Sequence, residues 1–437
     1  MDKLQKYRDA FQNLPEGCTS AELNVIFTEE TSVTCSKGKL TASEACESSK
    51  LYLRATGTST GMVYTENLNE DPDRLIALAL ENAAGVEGSQ PQPMLCDVLD
   101  QKCPKEKVGS SVKDLIDWAR ALSEKPMVED CTITETIRRS VVLNSLGTET
   151  ELCVPIYVAA ASVQGKGEDN LKFSLCSSNS LAEIDTEKML RKLAAENVLD
   201  HEELPYISLP SGPYATVLSS AVTVNMMNTA WQLFAQRLMD CGRSSLQVGD
   251  VLGSEKLNIT DSAVMSETGF DFTIDMEGVR GPMEVHLVEA GVVKDSLRTL
   301  ADGASTGCAG REDLLSGNIH TELISIPRNI RIHSGDQTPE DLIAQMGTGI
   351  HLTYSMDEFH SLNIARGTFS IPCGGVYYEN GKPIGRLQQM NLYGSFRELF
   401  GALEDVGNDL SMKPMDTYNS YCFGGPSMLM RSANFAM

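Results

Sequence analysis

The chain has 437 residues, more than one hydrophobic core organises, so about two or three domains are expected. Its 41% hydrophobic and 22% charged residues suit a globular protein, and no run of eighteen apolar residues is present to cross a membrane. A formal charge of −24 argues against a nucleic-acid partner, because phosphate affinity comes from clustered Lys and Arg. The N-terminal stretch is charged and lacks the apolar segment of a secretory signal, which makes the cytoplasm the expected compartment. The 12 cysteines contain no C-x-x-C pair and read as reduced, small hydrophobes.

Taken in order, residues 1–110 read as a small α/β unit that ends in a linker. Leu4, Tyr7, Phe11 and Leu14 recur at helical spacing, strands are predicted at 21–28, 32–36 and 50–56, and a helix at 71–84. Residues 87–109 carry three prolines and read as an excursion. A second α/β region, 111–213, starts with a helix at 111–122 on Leu115, Trp118, Ala119 and Leu122. Strands at 130–139, 140–144, 148–161 and 170–177 and a helix at 186–197 follow. Gly165-Lys166-Gly167 lacks the helix that a phosphate-binding loop requires.

Residues 214–437 form a third, strand-rich region with helices outside, and the whole is α+β. A strand at 214–218 precedes a single helix at 221–240, with Met227, Trp231, Phe234 and Leu238 on its apolar face. Thr338 and Pro339 cap a helix at 338–346, Asn380-Gly381 makes a two-residue hairpin turn, and a last helix is predicted at 395–406. Further strands are predicted at 350–354, 369–371, 375–378, 384–390 and 427–431.

The most informative stretch is 269–311. Phe270, Phe272 and Ile274 alternate with Asp271, Thr273 and Asp275 as in a strand with one wet face. Met283, Val285 and Leu287 alternate likewise and turn back at Ala290-Gly291. Asp275 and Glu277 would then sit on one face beside a small-residue loop, Ser305 to Arg311, whose arginine is placed to neutralise one of them. Asp275, Glu277, Arg311 and Asn329 are the candidate substrate-binding or loop-organising residues.

Asp275-Met276-Glu277-Gly278, Leu287 to Val293, Ser305 to Arg311, Ile326 to Gly335 and Tyr378 to Lys382 follow one another in an order that resembles the TldD/PmbA family. The resemblance extends more weakly over nearly the whole chain. Catalytic members carry H-E-x-x-x-H on the helix corresponding to 221–240, which supplies two zinc ligands and a general base. Here that segment has neither His nor Glu. The pattern resembles the PmbA (TldE) branch, whose members pair with a zinc-bearing TldD subunit. The resemblance therefore implies a catalytically silent subunit of a cytosolic peptidase complex, with peptide substrate and no cofactor or metal of its own. A heterodimer with a TldD-like homologue, or a homodimer, is expected.

Two other classes remain. An enzyme in its own right would use Cys308 in its small-residue loop, or a metal around His351, Asp357, Glu358 and His360, although an exposed polar loop is the favoured reading of that cluster. His286 and Glu289 fall on opposite faces of a strand and offer no ligand pair. An acidic regulator of the gyrase-modulator kind is the third class.

Overall fold

The computed structural model describes residues 3–85, 90–96, 109–164, 171–199, 201, 203–265, 268, 270–310, 323–415 and 421–436. The glycines at 165–167, most of the 87–109 excursion and Arg311 lie outside that set.

One antiparallel sheet spans the first two regions. Its strands are β1 (Ser20–Ser36), β2 (Lys39–Thr56), β3 (Thr60–Thr65), β4 (Asp130–Asn144), β5 (Glu149–Gln164) and β6 (Leu171–Ser178), in the order β3-β2-β1-β4-β5-β6. Residues 22–36 of β1 pair with 130–144 of β4, so the position near 110 falls between strands of one sheet. The predicted strand break at 29–31 is absent. Glu29 and Thr31 keep their ladder partners Glu47 and Ala45, while the apolar pattern lapses between two separate cores. The first core gathers Leu23, Val25, Leu51 and Leu53 beneath α1 (Gln5–Gln12) and α2 (Pro72–Ala84). The second gathers Val33, Ile133 and Ala159 beneath α3 (Val112–Ser123) and α4 (Thr186–Leu199).

Because side chains alternate along a strand, the residues between those positions face the other way. Ile26, Tyr52 and Met62 pack on Met276, Ala309 and Leu323, and Val154 and Ile156 on Phe270 and Cys422. The first sheet thus lies between its helices and the third region.

The third region holds β7 (Gly212–Leu218), β8 (Ile259–Ser262), β9 (Glu284–Glu289), β10 (Val292–Val293), β11 (Ala309–Gly310), β12 (Ile324–Ser325) and β13 (Asn329–Ile332). It continues through β14 (Gly349–Ser355), β15 (Leu362–Asn363), β16 (Thr368–Glu379), β17 (Lys382–Ser395), β18 (Leu403–Val406), β19 (Ser411–Met415), β20 (Tyr421–Gly425) and β21 (Met428–Ala436). Pairings β14-β7-β21-β17-β16 return from β16 to β14 and close a small barrel. A second sheet runs β10-β9-β8-β13-β20-β19. The turns read from the sequence are present: Ala290-Gly291 and Asn380-Gly381 all have positive φ, at 46°, 76°, 50° and 74°. Thr338 caps the helix Pro339–Met346 through a reciprocal pair of bonds with Asp341.

Three predicted elements differ. The helix expected over 221–240 is α5 (Ser220–Ala230), a 3-10 turn (Trp231–Phe234), extended Ala235 and α6 (Gln236–Asp240). Leu297 interrupts it: its amide donates to the Phe234 carbonyl at 2.8 Å, and its carbonyl accepts from the Gln236 amide at 2.9 Å. Eight of the eleven α5 residues are buried, in the core between the barrel and the second sheet. The last predicted helix ends at Gly401, and residues 403–406 pair with β21 instead. Finally, residues 270–283 form no regular strand: Asp271 makes an isolated bridge to Val264, and Asp side chains take the backbone donors a ladder would use.

His286 and Glu289 also depart from expectation. Ile259 pairs with Val288 but Thr260 with His286, so Leu287 is an extra residue that reverses the alternation. The two side chains approach to 3.7 Å on the exposed side.

Candidate functional site

The loops of the third region meet the first sheet at a buried junction and an adjoining cleft. Glu22 on β1 and Arg54 on β2 are direct cross-strand partners, each 2% exposed. Arg54 Nε donates to Glu22 Oε1 at 2.9 Å, and its Nη1 reaches Glu277 Oε1 at 3.3 Å. The other Glu277 oxygen accepts the Leu300 amide at 2.9 Å. Nearby, Asn24 Nδ2 donates to the Met276 carbonyl at 3.3 Å. The described guanidinium at Glu277 is therefore Arg54, from the far end of the chain, a pairing the sequence reading missed.

Asp275 shapes the loop that carries Glu277. Its Oδ1 accepts the amides of Glu277 and Val279, both at 2.9 Å, and its Oδ2 accepts the Ala309 amide at 3.0 Å. The loop is drawn tight against the next: a Cβ on Gly281 would fall 2.2 Å from the Thr306 carbonyl oxygen. Only glycine permits that approach.

One guanidinium lies between two carboxylates here, with a third, Asp275, acting on Glu277, in a setting with little water to screen them. Burial pushes the Glu22 carboxyl up to about 7, opposed by Arg54 and reinforced by Glu277. Burial, then the Glu277 charge, raises Asp275. Burial raises Glu277 as well, against the pull of Arg54. The junction retains protons near neutrality.

Asn329 and Arg328 secure the neighbouring strands. Buried Asn329 accepts the Thr268 hydroxyl at 2.8 Å and donates to the Ser262 carbonyl at 3.0 Å. Arg328 holds Asp261 through both its backbone amide and Nε, each at 2.7 Å, and its Nη1 reaches the Pro282 carbonyl at 2.8 Å.

Beside the junction lies a cleft with a cavity of about 60 Å³. Leu152, Val154 and Ile156 of β5 form one wall, and Phe270 and Phe272, stacked at 5.6 Å, form the other. Arg138 and Ser140 on β4, with Asp271, Asp275, Cys308 and Arg328, supply the polar atoms. Sequence reasoning passed over Arg138, although it shares its strand face with Thr134 and Thr136, the face turned toward the third region.

The other candidate groups are ill suited to chemistry. Cys308 is buried, its thiol donates to the Arg298 carbonyl at 3.3 Å, and burial pushes its pKa well up, so it stays a neutral thiol. His351 is buried and burial lowers it to about 4. His360 and Asp357 pair on the exposed surface. Among the described residues, no group of three or more His, Cys, Asp and Glu could hold a metal ion. Nor does zinc fit α5 and the turn after it: Met227, Ala230 and Trp231 occupy the core there, and Asn225 Nδ2 is spent on the Ser355 carbonyl at 3.5 Å. Thioether, methyl, indole and amide groups are not a zinc donor set.

Residues 211–437 match the family model for the PmbA/TldA metallopeptidase C-terminal domain. Among solved structures, the chain is similar to TldE from Thermococcus kodakarensis, with 16% identity, TM-score 0.75 and 100% of both chains covered. It is similar to a candidate modulator of DNA gyrase from Bacteroides thetaiotaomicron, with 18% identity and TM-score 0.74 over 100% of this chain and 99% of that one. A second candidate modulator of a DNA gyrase, from Thermotoga maritima, shares 20% identity with TM-score 0.73 over 99% of each chain. At these identities the likeness is one of fold.

Proposed function

Because the chain belongs to the PmbA/TldA metallopeptidase family through residues 211–437, we propose that it is a non-catalytic, TldE-type subunit of a cytosolic peptidase complex. Its partner is a zinc-bearing TldD-like homologue, and the complex acts on small or unfolded polypeptides. One observation carries this reading: residues 220–240 hold no His and no Glu, and their side chains fill a core where metal ligands would otherwise stand. A chain that keeps the family architecture without that chemistry is suited to supply wall and substrate surface to a chamber closed by a related subunit.

The test is to purify the protein, determine its mass by light scattering, and titrate it with a zinc-bearing homologue. The reading expects no stoichiometric zinc and no chelator-sensitive hydrolysis from this chain alone. It also expects a defined complex on mixing, burying more than about 2,000 Å². One equivalent of tightly bound zinc with hydrolysis by the isolated chain, or no complex with the homologue, overturns it.

A further inference from the structure

Arg54, Arg138 and Arg328 face the contact between the first sheet and the third region. Arg54 is held by Glu22 and Glu277, and Arg328 by Asp261. Arg138 is different. It is partly buried in the cleft, and no hydrogen bond or ion pair joins its side chain to another described residue, although Tyr52 lies near enough to act on its charge. Burial lowers its pKa, the direction expected of a cation without a carboxylate to support it. The Asp275 carboxylate in the same cleft is tied to three backbone amides, and one Asp271 oxygen accepts the Thr273 amide at 2.8 Å. No described carboxylate pairs with Arg138, and a cation in a low-water site is costly unless a partner completes it.

The surroundings say which ligand. A guanidinium is a planar fork that matches a carboxylate through two parallel bonds. A phosphate calls for several free donors, and of the two guanidinium groups that line this cleft Arg328 is committed to Asp261 and the Pro282 carbonyl, which leaves Arg138 alone among the described residues. Ser140, Asp271 and Asp275 also line the cleft, and its facing walls are apolar: β5 on one side, the stacked Phe270 and Phe272 on the other. That combination fits a carboxylate attached directly to an apolar residue. The cavity itself, about 60 Å³, has room for the end of a chain and not for a run of residues.

We infer that the Arg138 cleft receives the C-terminal carboxylate of an extended peptide whose last residue is apolar. Arg138 binds the carboxylate, and Val154, Ile156, Phe270 and Phe272 enclose the final side chain. The inference deepens the peptidase-subunit reading and rests on it for the class of ligand: this chain would read polypeptide ends while the partner supplies the hydrolytic chemistry.

Calorimetric titration of the full-length protein with three probes tests it: acetyl-Ala-Ala-Phe as free acid, the same peptide as amide, and acetyl-Glu-Ala-Phe amide. The acid should bind at least about tenfold more tightly than either amide, the size of one good charge-assisted contact. Equal binding of the acid and its amide, or no binding of the acid, overturns the site. Tight binding of the Glu-bearing amide would show a side-chain carboxylate receptor and overturn the end-reading role. Arg138→Gln should erase the preference for the acid. Val154→Glu, which sets a carboxylate on the direct cross-strand partner of Arg138, should do the same by occupying the guanidinium. A preference that survives both variants overturns the assignment, and if neither variant folds, the acid–amide comparison on the unmodified protein decides. Complex formation with the zinc-bearing homologue is measured separately. Its persistence without end recognition removes this inference alone, and its absence with end recognition intact removes the subunit reading alone.

Discussion

Replacing Arg54 with methionine removes the single cation between Glu22 and Glu277 while retaining much of the side-chain volume. Glu22 is 2% exposed and Glu277 1%, so neither carboxylate gains water when the guanidinium goes. Breaking a buried pair in this way costs about 3–5 kcal/mol, because a charge is left uncompensated. For domains of roughly 150–250 residues each kcal/mol lowers the melting temperature by about 2–4 °C, which gives a fall of roughly 6–20 °C by scanning calorimetry. Protonation relieves part of the cost. Glu22 is already pushed up to about 7 with Arg54 present, so without it both carboxylates hold their protons to higher pH. The loss should therefore be larger near pH 8.5 than near pH 6, and Glu22→Gln in the Arg54→Met background should recover part of it at the higher pH. An unchanged melting temperature at both pH values would mean that the junction is hydrated and that its ion pairs do not hold the sheet to the loops.

The Glu22→Gln substitution alone should flatten the pH dependence of stability. A carboxyl raised to about 7 in the fold holds a proton the unfolded chain has released, so its contribution is full below the unfolded value and is lost as pH rises through about 7. The slope is up to about 1.36 kcal/mol per pH unit, and identical urea curves for parent and variant across about pH 5.5–8 would refute it. Thiol titration should label the exposed Cys46, Cys96 and Cys241 at once and Cys308 only after denaturation. Peptide mapping that finds Cys308 alkylated as fast as Cys46 would return it to the list of nucleophiles.

What the sequence determined by itself is local. The Asn380-Gly381 and Ala290-Gly291 turns, the Thr338 cap and the amphipathic helices at 72–84 and 112–123 rest on side chains acting within a few residues of themselves, and the structure repeats them. The lack of His and Glu over 220–240 is likewise complete in the sequence. Alternation misled where another force imposed it. Phe270 and Phe272 stack together on the first sheet in an irregular loop, and the Trp231 stripe continues through a break made by Leu297, a partner distant in the chain.

The tertiary structure alone decided the junction and the cleft. Asp275 and Glu277 were legible as candidates from their spacing, but Arg54 is 223 residues from Glu277. Nothing local marks it as its partner. A polar residue on a strand reads as facing solvent until a second layer covers that face. Covering it changes what Glu22, Arg54 and Arg138 are: surface charges become a buried network in one place and, in another, a cation that no described carboxylate pairs. The dielectric around a charge is set by what packs over it, and that packing depends on how the first sheet and the third region come together.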